Sequence, residues 1–187
     1  QQAATRAMDE NCIRDVNLYL YGDTEYHFYF PSVSSPLVFN VLPGNYRSYA
    51  IANAGQDLGD KNAFEIQFYE TAVDVMESSD AIPMTDRGTL AVDGAGRCTP
   101  SSLRLTRSAA KIAYTIEVAD AVAPSLRLRS VQFCNLPQTI RPFDSGSISS
   151  TVEANYYDGE AMPVGNERRT AGTAYLFENL QGSVDTI

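Results

Sequence analysis

The stretch from Ser102 to Val118, "SLRLTRSAAKIAYTIEV", decides the fold class. Leu103 and Leu105 fall on one side of an extended chain, and Arg104 and Thr106 on the other. The alternation resumes with Ile112, Tyr114, Ile116 and Val118. A period of two is the pleat of a half-buried β-strand, not the 3.6-residue turn of a helix. The small residues Ser108, Ala109 and Ala110 lie between the two halves, where a bulge fits.

The same period recurs outward from this strand. In "IRDVNLYLYG" (13–22), Val16, Leu18 and Leu20 share one face, and Asn17, Tyr19 and Tyr21 the other. "YHFYF" (26–30) predicts a second strand, stopped by Pro31. "PLVFNVLPGNY" (36–46) predicts a third, closed by a Pro43-Gly44-Asn45 turn. "YRSYAIANAG" (46–55) is a fourth, with Tyr49 and Ile51 on one face, and "FEIQFY" (64–69) a fifth. "TAVDVMESSD" (71–80) is the one helical candidate, with Val73 and Met76 three apart. "AIPMTDRGTLAVDGAGRCTP" reads as two short strands about a hairpin tip at "DGAGR" (93–97). A strand pattern restarts in "LRLRSVQFCNLP" (126–137), and "GTAYLFENLQG" (172–182) is strand-like again. Residues 138–170 are mostly turn-rich. Many short strands and one short helix predict an all-β sandwich.

The domain reading is a leader over 1–12, a first β-sandwich over 13–120, a linker "ADAVAPS" (119–125), and a second sandwich beginning near 125 and running to 187. Two echoes in the same order, "SLRLT" with "SLRLR" and "DAIPMTDRG" with "GEAMPVGNERR", suit two related domains; chance similarity between strand-rich segments explains them equally well.

Composition narrows the function. Of 187 residues 44% are hydrophobic, enough for a packed core, and 23 acidic residues against 14 basic ones leave a net charge of -9. Nucleic acid, which calls for a basic stripe, is excluded as a partner. No apolar run approaches the roughly 18 residues of a membrane-spanning helix. The polar start "QQAATRAMDEN" has no signal-peptide pattern and suits a mature or trimmed N-terminus. Cys12, Cys98 and Cys134 have no zinc spacing; they read as small buried hydrophobes, or as one disulfide and one free thiol.

Candidate chemistry is sparse. "SAAK" places Ser108 and Lys111 at Ser-x-x-Lys spacing, but that chemistry needs a helix and this is a strand pattern. His27 is the one histidine; it lacks a nucleophile and an orienting partner, and reads as a strand-surface residue in an aromatic run. Glu153, Asp158 and Glu160 lie near a turn that could offer oxygen ligands to calcium, although the spacing is not that of an EF-hand and a solvated turn is the simpler reading. Tyr156 and Tyr157 could stack on a sugar or form a strand edge. The expectation is therefore no enzyme, no cofactor and no metal site.

The segments "DVNLYLYG", "YRSYAIANAG", "AIPMTDRG", "LRLTRSAAKIAYTIEV", "SVQFCNLP" and "AYLFENLQG" occur in an order that resembles the fimbrillin-like proteins of Bacteroidales type V pili. The most telling pieces are Tyr49–Asn53, Ile82–Met84, Arg107–Ile112 and Phe177–Gly182. The resemblance implies two transthyretin-like β-sandwich domains and export as a lipoprotein, with the lipidated cysteine upstream of this chain and attachment to the outer membrane. It implies a cell-surface fimbria in which subunits join by strand exchange after an Arg-specific protease trims the leader. Arg6 matches that cleavage site by position, and Arg14 less well, since a cut there enters the strand. Other fimbrial subunits are the implied partners, and host or bacterial surface ligands are further candidates. Family members usually continue past the "FENLQG" segment; this chain is either cut there or a short variant, which leaves stalk, anchor and tip roles open. The alternative reading is a secreted carbohydrate-binding sandwich that uses tyrosines as a stacking platform.

Overall fold

The computed structural model describes residues 10–79, 81–123, 125–143 and 156–178. The chain is all-β and sandwich-like, built of antiparallel sheets with one short helix among the described residues. In chain order the elements are β1 (Val16–Tyr21), β2 (Glu25–Phe30), β3 (Gly44–Ala52), β4 (Thr71–Ala72), α1 (Val73–Ser79), β5 (Met84–Val92), β6 (Cys98–Thr99) and β7 (Thr106–Arg107). They continue with β8 (Ala109–Glu117), β9 (Leu128–Val131), β10 (Leu136–Pro137), β11 (Thr139–Ile140), β12 (Tyr156–Tyr157), β13 (Met162–Glu167) and β14 (Arg169–Phe177). The described residues divide into two compact units, one comprising 10–79, 81–108 and 139–143, the other 109–123, 125–138 and 156–178.

The larger unit is a six-stranded sheet in the order β2-β1-β3-β5-β6, with β7 also on β5. All six residues of β1 are buried. Its even residues Val16, Leu18 and Leu20 join Tyr46, Ala50, Ala52, Met84, Leu90 and Val92 in an aliphatic core. Its odd residues Tyr19 and Tyr21 join Tyr49, Ile51, Ile66, Tyr69 and Phe143 in an aromatic one. A strand buried on both faces needs two covers. The even face is covered by side chains of 33–41 and by Leu103 and Leu105. The odd face is covered by residues 54–69 and by Phe143.

Several strand expectations change here. Residues 64–69 are not a strand: Glu65–Phe68 form a single 3-10 turn. Asn62 Oδ1 accepts the N–H groups of Phe64 and Glu65, and Glu65 Oε2 accepts Asn62 N–H at 2.8 Å. That reciprocal pair is a capping box, which starts a helix and overrides the β-propensity of Phe and Ile. Residues 36–43 form no ladder, and the expected Pro43-Gly44-Asn45 turn is absent because Gly44 and Asn45 already pair with Val92 and Ala91 inside β3. The long strand 102–118 is interrupted where Ser108 N–H donates to Pro83 O at 2.8 Å, leaving β7 before it and β8 after. Of the helix expected over 71–80, residues 73–79 form it while Thr71 and Ala72 are strand β4 and Asp80 lies outside the described residues; the hairpin tip at 93–97 forms as expected.

Asn53 closes the sheet's upper end. Its φ of 62° is left-handed, a conformation that Asn tolerates better than most residues. Fully buried, it donates from Nδ2 to Cys12 O at 2.9 Å and Ile82 O at 2.7 Å, and accepts Arg14 N–H at 2.8 Å. Asn53→Ala deletes all three bonds and strains the backbone, so a loss of about 2–4 kcal/mol is expected, read as a lower urea midpoint. Asn53→Gly relieves the strain alone and should recover only a minor part.

In the smaller unit β8 and β14 pair over nine residues each, β9 pairs β13, and β10 pairs β12. Gly172 lies opposite Tyr114, whose ring meets Phe133 edge-on at 5.6 Å. A Cβ on Gly172 would stand 2.6 Å from Tyr114 Cζ, so the glycine is the seat of the tyrosine ring. Gly172→Val should cost about 1–3 kcal/mol through displacement of that ring. Adding Tyr114→Ser should return part of the lost melting temperature; no recovery would place the strain elsewhere.

Candidate functional site

The polar face of β1 is the most organised surface in the larger unit. Asp15, Asn17, Tyr19 and Tyr21 stand on successive odd positions, and each reaches the loop 53–62. Asp15 accepts the N–H groups of Ala54 and Gly55 at 3.1 and 3.0 Å. Asn17 donates to Gln56 O at 3.0 Å and accepts Leu58 N–H at 3.0 Å. Tyr19 donates to Gly59 O at 2.8 Å, and Tyr21 to Lys61 O at 2.6 Å. The strand's 6.6–6.8 Å repeat of like-facing residues thus matches the advance of the loop. Burial pushes both tyrosine hydroxyls well above their ordinary range, so they are fixed donors.

His27 sits against this ladder. Its ring stacks on Tyr19 at 4.3 Å, and its side chain is only 9% exposed, so it is a packed residue rather than the strand-surface histidine expected. Asn17 Nδ2 is committed to Gln56 O, so the atom that faces His27 Nε2 at 3.1 Å is Asn17 Oδ1, which accepts a hydrogen bond from Nε2–H. The carboxylates of Asp57 and Asp60 stand 3.7 and 3.6 Å from Nε2 and Nδ1. The adjoining cleft, about 400 Å³, is lined by Tyr21, Glu25, His27, Asp60, Lys61 and Glu65. Its groups can hold polar or cationic chemistry, but it presents no nucleophile beside a base. Among the described residues no group of three or more His, Cys, Asp or Glu could hold a metal ion.

The other sequence candidates are dispersed. Ser108 precedes β8 with its Oγ buried and unpartnered, and Lys111 lies within that strand; no helix spans the two. Asp158 Oδ1 accepts Asn135 N–H at 2.9 Å, a turn contact, while Glu160 is exposed and Glu153 lies outside the described residues. Tyr156 and Tyr157 are half-buried and pair with Pro137 and Leu136, which makes them a ladder. Cys12, Cys98 and Cys134 are free thiols; Cys98 packs against the aliphatic core and Cys134 is exposed. Arg14 is exposed just before β1, and Arg6 lies outside the described residues. Among the described residues no helix is long and apolar enough to cross a membrane. The sequence reading missed the Asp15–Tyr21 ladder, whose signal was a polar residue at every odd position of a strand otherwise rich in leucine.

Asp15 has a pH signature. Burial raises its carboxyl above the ordinary 3.8, and the bonds from Gly55 and Ala54 offset this only in part. The folded chain therefore binds a proton here more readily than the unfolded chain. The stability from this group is full below about pH 3.8 and falls as pH rises through the folded-state value. Asp15→Asn removes the titration. The wild-type-minus-variant difference in urea midpoint should thus shrink as pH rises from about 3 to about 7; a difference that grows would mean that the ionised carboxylate is the stabilising form.

No family model and no curated protein matches this chain. Among solved structures it is similar to a fimbrial assembly protein from Parabacteroides distasonis ATCC 8503, with 13% identity over 90% of this chain and 69% of that one, and a TM-score of 0.49.

Proposed function

We propose that the chain is a structural or adhesive subunit of a cell-surface fimbria, without catalysis, joined to its neighbours by strand exchange after proteolysis. Attachment to the outer membrane through a lipid on an upstream cysteine is part of the same proposal. The observation that carries it is the β8–β14 ribbon. Parts of two of the most fimbrillin-like segments lie in that ribbon, Ala109–Ile112 of one and Phe177 of the other, and they meet where Phe177 pairs with Ala109. The ribbon is a two-stranded sheet among the described residues, and Ile112 and Ile116, on one face of β8, are 39% and 36% exposed. Two strands alone are marginally stable in water. Open edges present unpaired N–H and C=O groups that a further strand satisfies.

The test is controlled processing. An Arg-specific protease added to the full chain should cut first after Arg6 and yield a ladder of SDS-resistant multimers. Arg6→Ala should stay uncut at that site and give no ladder. A cleanly trimmed chain that forms no multimers would overturn the proposal, as would a ladder that forms equally well in the Arg6→Ala protein.

A further inference from the structure

The ring of His27 leaves one nitrogen unspent. Asn17 Oδ1 accepts the backbone N–H of Leu58 at 3.0 Å and Asn17 Nδ2 donates to Gln56 O at 3.0 Å, so the amide has a single orientation. His27 Nε2 lies 3.1 Å from that Oδ1 and carries the hydrogen between them. In the neutral ring Nδ1 is then a bare acceptor. It makes no hydrogen bond among the described residues, and the group that faces it is a second acceptor, Asp60 Oδ1 at 3.6 Å. The His27 side chain is only 9% exposed and its ring stacks on Tyr19 at 4.3 Å, so it cannot turn its free edge to bulk water. A buried acceptor calls for a donor, and two acceptors at this distance call for one that serves both.

The surroundings set the sign of that donor's charge. His27 and Asp60 both line the cleft of about 400 Å³, to which Glu25 and Glu65 add two more carboxylates. Asp57 stands on the other side of the ring, 3.7 Å from Nε2. Lys61 is the one basic residue of the lining, yet its ammonium forms no ion pair among the described residues, so the chain's own cation does not fill the gap. The Tyr21 hydroxyl is spent on Lys61 O and cannot fill it either. The cleft therefore has room, an excess of negative charge, and a buried lone pair beside an exposed carboxylate.

We propose that this cleft binds a primary alkylammonium group, recognised at the gap between His27 Nδ1 and Asp60. An ammonium presents three N–H donors from one atom, so it serves Nδ1 and Asp60 together and keeps a third donor for another carboxylate of the lining. Asp60, whose side chain is fully exposed, is free to adjust to it. A guanidinium, with its donors fixed in one plane to match paired oxygens, suits a lone imidazole nitrogen beside a single carboxylate less well. A metal ion is a poorer fit still, since no group of three or more His, Cys, Asp or Glu among the described residues could hold one. Because Asp60 is exposed, the charge contacts are screened by water and the affinity is modest. The site is built from β1, β2 and the loop between β3 and the 3-10 turn, and it is independent of the fimbrial reading.

His27 is the chain's one histidine, so its two ring nitrogens give unambiguous NMR signals. In the full chain at about pH 8, Nε2 should read as protonated and Nδ1 as a bare acceptor. Adding n-butylammonium should move the Nδ1 signal saturably, with a millimolar Kd. Tetramethylammonium, which has the charge but no N–H donor, and n-butanol, which lacks the charge, should leave it in place at equal concentration. Asp60→Asn should weaken binding about threefold, and Asp60→Asn with Glu25→Gln about tenfold, while Lys61→Gln, which removes a competing cation, should tighten it about twofold. Glu25 and Asp60 are exposed, so the melting temperature should hold in their variants. A blocked lysine tripeptide separates the sources of the ammonium: binding tighter than n-butylammonium marks a polypeptide's lysine, equal or weaker binding a free amine, and either supports the proposal. An Nδ1 already protonated in the free chain, a signal that does not respond, a response matched by either control compound, or binding unchanged in Asp60→Asn would overturn it.

Discussion

The burial of β1 on both faces is the constraint from which the larger unit follows. Most antiparallel sheets bury one face and wet the other. Here Val16, Leu18 and Leu20 lie on one side, and Tyr19 and Tyr21 on the other, all shielded from water. Two separate covers are then obligatory, and the chain on either side of β3 supplies them. Residues 33–41 precede β3 and reach the even face; residues 54–69 follow it and reach the odd face. The central position of β1 between β2 and β3 leaves its backbone fully paired, so its side chains alone meet the covers.

The two covers are held by different chemistry. On the odd face the tyrosines bring hydroxyls that must find partners when buried. The loop's carbonyls supply them at Gly59 and Lys61, while Asp15 and Asn17 take loop N–H groups. Polar pairing of this kind sets one register, because a shift of one residue would leave several buried donors and acceptors unsatisfied. On the even face the contact is apolar apart from Leu42, and the covering segment keeps its backbone groups unspent.

Much of this was legible in sequence and some was not, for reasons that specific residues show. Strands whose alternation is carried by several large side chains, such as Val16-Leu18-Leu20 and Tyr49-Ile51, lie where the period placed them. At 64–69 the strand-forming side chains Phe64, Ile66 and Phe68 yield to Asn62 and Glu65, whose spacing starts a turn. The error at 36–43 has another origin. Its alternation is real, with Leu37, Phe39 and Val41 inward, but period-two burial shows only that a chain is extended. Pairing depends on whether a neighbour arrives, and no local pattern encodes that. The site was less legible still. His27 looked solitary because its partners, Asn17, Asp57 and Asp60, come from other segments.

The contrast between the covers also bears on how such a unit can associate. A cover fixed by its backbone and side-chain polar groups has nothing left to offer a partner except surface. A cover fixed by apolar side chains retains its hydrogen-bonding capacity, since hydrophobic contact is non-directional and consumes no donors or acceptors. In water those groups are solvated, so the monomer pays little for leaving them open. Exchange of water for another strand gains only about 0.5–1.5 kcal/mol per bond, and the balance is tipped by whatever apolar surface is covered at the same time. Strand pairing at such an edge is therefore reversible by nature, and its specificity comes from the side chains that flank the ladder. In this chain the outward side chains of that cover are Val38, Asn40 and Leu42, which take no part in the core.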